Sequence, residues 1–218
     1  MQYSLDQEDC PLPYAPFKSC TVPRPIGWLS TRSRYGIDNL APYSQWQNIS
    51  FDPPIVMFSA NRNGNGSRKD TAINAIETGW FVWNMATFFL RDAVNISAMD
   101  SGCDIDEFET ANLKKADCIE APVSRVCESP VNFECKVLSN LVFEGNSPQG
   151  TADVIFAEVK HIHIDENYIT SEGKIDIVKA RPLSRLGYYD YSSVTDVFEM
   201  KIPDMAGSLQ NGLEGKVE

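Results

Sequence analysis

Arg62, Arg68, Lys69, Asp70 and Thr71 gather three cations, a carboxylate and a hydroxyl where the pattern predicts a helix start. A helix start exposes unpaired backbone N–H groups and the positive end of the helix dipole, which together suit a phosphate. Gly64 and Gly66, just upstream, let the backbone come close to a ligand. In a chain with a net charge of −11, a cationic loop of this kind stands out. The same residues also read as a solvated basic loop with an ordinary cap. Gly64-Asn65-Gly66 is neither nucleotide fingerprint: no third glycine follows at the right place, and no Gly-Lys-Ser/Thr ends it.

A second set lies in residues 23–50. Asn39, Ser44 and Ser50, with the backbone around Pro42, supply polar groups along one strand and the loop after it. Trp28 and Trp46 add flat apolar surfaces. A planar polar heterocycle needs ring faces to pack on and donors for its edge. Core packing is the alternative use of both tryptophans. No catalytic triad and no acid/base carboxylate pair is legible. His161 and His163 share one strand face without a carboxylate-rich motif beside them, so no metal site is expected. The cysteines Cys10, Cys20, Cys103, Cys118, Cys127 and Cys135 contain no Cys-x-x-Cys and read as reduced thiols. Binding chemistry without a proton-transfer apparatus is what a cofactor-dependent reaction requires.

The elements that must position these groups read as mainly β. Residues 26–31 predict a short strand, Tyr35-Gly36 a turn, and 39–43 the returning strand, ending at Pro42 because proline lacks a ladder donor. Residues 55–60 form an apolar run typical of a buried strand. Asp70 reads as the N-cap of a helix bearing Ile73 and Ile76 on one face, with Gly79 closing it. Residues 80–85 read as a strand and 88–118 as weakly helical, with Asp104, Asp106, Glu107 and Glu109 on a solvated helix start. Alternation over 132–138 and 152–162 implies half-buried antiparallel strands joined by a turn at 145–150. The expected architecture is a β-barrel with peripheral helices. Its expected divisions are an N-terminal arm over 1–16, one domain over 17–195 and a C-terminal tail over 196–218.

Composition bounds the partners. At 218 residues and 43% hydrophobic, the chain can bury one substantial core. Its acidity disfavours nucleic acid. No run approaches the ~20 apolar residues of a membrane helix, and the polar, acidic first residues are no signal peptide. Cytoplasm is the expected compartment.

Pro23 to Thr31, Asn39 to Ser44, Asp52-Pro53-Pro54, Lys69-Asp70-Thr71 and Phe81 to Asn84, in that order and spacing, resemble the flavin reductase-like family. These are FMN-binding split-barrel proteins similar to flavoredoxin and to the reductase components of two-component monooxygenases. The resemblance runs from about Pro23 to about Tyr191 and implies a Greek-key split barrel, usually a homodimer, that binds FMN. It implies that Asn39, Leu40, Ala41, Pro42, Tyr43 and Ser44 line the isoalloxazine through backbone donors and the Ser44 hydroxyl, with Ser50 beside them. Ser30 and Thr31 would approach the ribityl–phosphate region, and Arg62, Lys69, Asp70 and Thr71 the phosphate, with Asp70 as helix cap. Arg185 or Tyr189 would border the site, in a segment where relatives commonly carry a second glycine at the place of Tyr188. The implied activity is hydride transfer from NADH or NADPH to flavin N5, with no protein acid or base. Electrons then pass to flavin, oxygen, a small molecule or a partner protein. A flavoredoxin-like carrier reduced by another protein, and a non-enzymatic flavin-binding module, are the alternatives.

Overall fold

Along the strand Pro54–Asn61, Val56, Phe58 and Ala60 are buried while Ile55, Met57 and Ser59 are half-buried. This two-residue period is that of a pleated strand facing a core on one side. The computed structural model describes residues 1–4 and 10–200. Residues 5–9 of the expected arm and 201–218 of the expected tail lie outside the described residues. The strands are β1 (Arg24–Pro25), β2 (Gly27–Arg32), β3 (Asp38–Tyr43), β4 (Trp46–Phe51), β5 (Pro54–Asn61) and β6 (Trp80–Asn84), then β7 (Lys115–Ala116) and β8 (Arg125–Val126). After them come β9 (Val131–Phe143), β10 (Ala152–Ile164), β11 (Leu183–Gly187) and β12 (Asp190–Ser193). The helices are α1 (Asp70–Thr78), α2 (Arg91–Ile96), α3 (Glu107–Thr110) and α4 (Ile177–Ala180). With 39% strand and 18% helix among the described residues, the chain is mainly β, as expected.

Seven antiparallel strands form the barrel sheet in the order β3-β2-β6-β9-β10-β5-β4. Ser59 N–H donates to Gln45 O at 2.9 Å, which brings β5 back against the corner between β3 and β4. Leu29, Trp46, Val56, Phe58, Phe81, Cys135, Ile155 and Val159 fill the interior, and α1 adds Ala72 and Ala75. A second cluster outside the sheet holds Trp28, Leu40, Val94, Phe108, Val126 and Leu183. Trp28 and Leu29 therefore serve opposite faces of β2, as strand alternation requires. A smaller sheet, β1-β11-β12, lies beside the barrel.

Several expected boundaries move. Lys69, in extended conformation, is the N-cap of α1, so Asp70 is its first helical residue and caps nothing with its side chain. Its charge still favours the helix dipole from that position. Gly79 ends α1 at φ 76°, a conformation that glycine adopts without steric cost, and its N–H returns to Ala75 O. The weakly helical stretch divides into a 3-10 turn over Phe88–Leu90, α2, six residues long, and α3, four residues long, before β7. Asp100, Ser101 and Gly102 between α2 and α3 are turn formers that compete with helix. Asp106 caps α3 by accepting Phe108 N–H at 2.9 Å. β9 runs to Phe143, beyond the expected 138, because it pairs with β10 as far as Ala152.

Both tryptophans read as ring platforms are core residues instead. Trp28 is fully buried and donates Nε1–H to Ser97 Oγ at 2.9 Å. Trp46 stacks on Trp83 with centroids 5.7 Å apart and an interplanar angle of 2°. The apolar rings lose more water by packing inward than a polar cleft could offer.

A cleft along the free edge of β3

β3 ends the barrel sheet, so one of its backbone edges has no strand partner. Leu40 N–H points outward there and donates to Glu107 Oε2 at 3.0 Å. The Ser30–Leu40 pair is therefore non-hydrogen-bonded, and Ala41 and Tyr43, opposite Leu29 and Gly27, exchange their bonds with β2. Pro42 has no N–H. The backbone donors expected along 40–43 are thus already engaged or missing, and Ser44, at the strand's exit, is the polar residue left facing the cleft.

Two adjacent hollows follow this edge. The smaller, about 150 Å³, is lined by Asn39, Ala41, Lys69, Asp70, Thr71, the Ser97–Ser101 loop and Glu107. The larger, about 710 Å³, lies beyond Pro42, Tyr43 and Ala98, which line both. Its walls include Tyr14, Phe17, Ser44, Arg185, Tyr188 and Tyr191.

The two segments singled out by sequence meet in the smaller hollow. Asn39 Nδ2 donates to Thr71 Oγ1 at 2.9 Å and to Thr31 Oγ1 at 3.2 Å. The Tyr43 hydroxyl also bonds Thr71, and burial pushes its pKa up to about 12, so it stays neutral. Lys69 Nζ lies 3.4 Å from Asp100 Oδ1, an exposed carboxylate. Burial raises the pKa of Asp70, Asp100 adding to the rise while Lys69 opposes it. Burial likewise raises Glu107, against the Leu40 N–H that favours its charged form. One lysine and the start of α1 therefore face three carboxylates.

Other expected site positions stand apart from the cleft. Ser30 is fully buried, donating to Ser124 O at 2.6 Å and accepting from Asn84 Nδ2 at 3.2 Å. Thr31 is fully buried and accepts from Asn39 and Asn74, each at 3.2 Å, so it braces Asn39 from behind. Leu40 contributes its side chain to the outer core. Ser50 is on β4, at the opposite end of the sheet order, where its hydroxyl accepts Asp52 N–H at 3.3 Å. Arg62 is held by Asp153 at 3.0 and 3.3 Å, and Arg68 joins the same carboxylate at 2.9 Å. Asp153 is buried and its pKa is lowered, the two guanidiniums outweighing burial, so these arginines neutralise an internal charge. Tyr189 is exposed and lines a separate hollow with Phe88 and Arg91.

Sequence reasoning passed over Glu107, the Ser97–Ser101 loop, Lys18, Arg24, Tyr14 and Tyr191. Glu107 sat in an acidic run that reads as solvated, and only the tertiary bond to Leu40 reveals it. Arg24, between two prolines in an acidic chain, was the one legible signal among the rest.

One further group has metal-ligand chemistry. Ligating atoms of Cys118, Glu134 and His163 lie within 4.8 Å of one another. The Glu134 carboxylate, however, already accepts the N–H groups of Ile119, Glu120 and Ala121 at 2.7–2.9 Å, and His163 Nε2 at 2.7 Å. Four donors saturate its lone pairs. Burial pushes the Cys118 thiol up to about 12, which keeps it protonated. The group is a clasp holding residues 119–121 on β9. All six cysteines are free.

Residues 19–191 match the flavin reductase like domain. The chain is 31% identical over 202 residues to the uncharacterized protein YwrF of Bacillus subtilis, covering 92% of this chain and 98% of that one. It is 32% identical over 193 residues to an uncharacterized protein of Aquifex aeolicus, covering 87% and 94%. Among solved structures it is similar to nitrilotriacetate monooxygenase component B from Bacillus cereus, with a TM-score of 0.84, 26% identity and coverage of 92% and 98%. Flavoredoxin of Desulfovibrio vulgaris shares the fold with a TM-score of 0.73 at 18% identity, covering 94% and 99%.

Proposed function

The chain belongs to the flavin reductase-like domain family, and on that premise we propose that it is an FMN-binding oxidoreductase that accepts hydride from NADH or NADPH. The observation that carries this reading is the adjacency of two hollows. A phosphate-sized one at the start of α1 shares the walls Pro42, Tyr43 and Ala98 with one large enough for a tricyclic ring. Lys69, Thr71 and the first N–H groups of α1 would hold the phosphate. Asn39 fixes the Thr71 hydroxyl, and Tyr43 braces it from the β3 side. Pro42, Tyr43 and Ser44 would flank the ring. Bound FMN would supply the redox chemistry, taking two electrons as hydride and passing them on. The protein's part is binding, orientation and exclusion of water, for which no catalytic acid or base is required.

Lys69 must then exchange Asp100 for phosphate, and the exposure of Asp100 lets it leave. Likeness to component B of a monooxygenase supports delivery of electrons to a second component. Exposed Leu138, Leu141 and Phe143 on β9 support a homodimer. The acidic surface supports a second reading, a carrier reduced by a basic protein partner. The test is the visible spectrum of the FMN-loaded protein under anaerobic addition of NADH and then NADPH. Bleaching by either is expected. A flavin band that neither donor bleaches would overturn the reductase reading and leave the carrier.

A further inference from the structure

The larger hollow has a polar feature that a neutral flavin ring does not use. β1 and β11 pair antiparallel with Arg24 directly opposite Arg185. Residues directly opposite in an antiparallel pair point to the same face, and like charges there are destabilising. Both arginines line the hollow, and Lys18 lines it with them. Some cations of the chain hold a carboxylate, as Arg32, Arg62, Arg68, Lys69 and Lys115 do. Others, such as Arg34, Arg125 and Lys136, hold none among the described residues, so what sets this hollow apart is that its unpaired cations converge on one cleft. Lys18, Arg24 and Arg185 form no ion pair with any Asp or Glu among the described residues.

Each guanidinium is instead oriented by neutral groups. Arg24 donates to the carbonyls of Lys18 and Thr21, and its Nε is buried without a partner. Arg185 donates to Tyr188 O and lies over the Tyr191 ring at 4.4 Å. These contacts fix direction and, among the described residues, bring no carboxylate to either charge. Around them stand aromatic walls: Tyr14 meets Tyr188 edge-on at 5.7 Å, with Tyr191 and Phe17 beside them. Tyr188 takes φ 45°, a left-handed conformation that a bulky residue rarely occupies. A tyrosine kept at a costly backbone position on a cleft wall points to use of its ring.

We propose that Arg24 and Arg185, with Lys18, bind the oxyanion group of a planar aromatic ligand whose ring packs among Tyr14, Tyr188 and Tyr191. Guanidinium forks match a carboxylate or phosphate bidentately. The ligand's role rests on the flavin reading, which it deepens: the site would receive either an aryl carboxylate electron acceptor or the phosphates of the nicotinamide donor. Its binding does not depend on that reading.

The test is calorimetric titration of the full chain at low salt with 2-naphthoate and with neutral 2-naphthamide, before and after saturation with FMN. The acid should bind at least about tenfold more tightly than the amide. Arg185→Gln and Arg24→Gln should each remove most of that preference, while Arg185→Lys, which keeps the charge and loses the fork, should fall between wild type and Arg185→Gln. Because Arg24 also ties down residues 18–21, thermal melts must show the variants folded, and the Arg185 pair carries the test if Arg24→Gln is not. Equal affinity for acid and amide, or wild-type binding by a folded Arg185→Gln, would overturn the proposal. So would loss of naphthoate binding on adding FMN, since the arginines would then be holding the flavin phosphate. Failure to bind FMN with the acid preference intact would overturn the flavin reading and leave this site standing. Displacement of naphthoate by NADH would identify the donor's phosphates as the anion; coexistence of the two would identify a separate acceptor.

Discussion

Asn39 on β3 donates to Thr71 on α1 across 2.9 Å, and the same amide reaches back to buried Thr31 at 3.2 Å. One side chain thereby fastens the helix start to the free edge of the barrel. The hydroxyl of Thr71 is held in place before any ligand arrives, which is how binding sites avoid the entropy of ordering a group at the moment of contact.

Removing the groups at that helix start should show where phosphate binds. Lys69→Ala with Thr71→Ala should weaken FMN binding more than tenfold, since two contacts of about 1.5 kcal/mol each are lost. Flavin fluorescence titration measures it. Unchanged affinity would move the phosphate elsewhere.

Arg62→Ala should do the reverse. Its guanidinium lies on Asp153 at 3.0 Å, and Asp153 is 1% exposed, so the variant leaves a buried carboxylate with Arg68 as its remaining partner. FMN affinity should stay within about twofold, while the thermal midpoint drops by several degrees. A tenfold loss of FMN affinity at unchanged stability would instead make Arg62 a phosphate ligand.

The contrast between Arg62 and Lys69 shows what sequence made legible. Residue type and spacing marked a cationic helix start, and the barrel strands were legible from the apolar run over 55–60 and the alternation over 132–138 and 152–162. Neither could say which cations an internal carboxylate neutralises, because Asp153 lies some ninety positions away on β10. Ser30 and Thr31 belong to the same class: their polarity suggested a ligand, but their partners are Ser124, Asn84, Asn39 and Asn74. Glu107 is the converse, read as solvated and found buried against Leu40. Burial and long-range pairing are tertiary facts, and a periodic pattern carries only the local part of them.

Acid stability should depend on Glu134. Burial works against its charge, but three backbone N–H groups and His163 more than compensate, bringing its pKa from 4.5 down to about 2. A pKa depressed in the folded state stabilises the protein above the unfolded value and is lost as pH falls through the folded one. The contribution is therefore complete above about pH 5 and disappears between pH 4.5 and about 2. Its upper size is roughly 3 kcal/mol, at 1.4 kcal/mol per pKa unit. Urea unfolding from pH 6 to pH 3 should show the decline, and Glu134→Gln should be less stable at pH 6 with a flatter acid limb. An equal acid slope in the variant would refute the assignment.

Tyr188 separates backbone strain from ligand contact. It follows Gly187, whose φ of 116° lets the chain pass so close to Ser19 that a Cβ would overlap that residue. Tyr188 continues the left-handed turn at φ 45°, where any Cβ meets the backbone and glycine does not. Tyr188→Gly should therefore be more stable than Tyr188→Ala by roughly 1 kcal/mol, because alanine keeps the strain and loses the ring. Both should lose the contact with Tyr14 and weaken binding of a planar anion in the larger hollow. Thermal melts give the first comparison and naphthoate titration the second. If alanine matches glycine in stability, the positive φ costs nothing here; if binding survives in both, the ring does not wall the site. Strain relieved together with binding lost would mean that tyrosine holds this position for its ligand rather than for the fold.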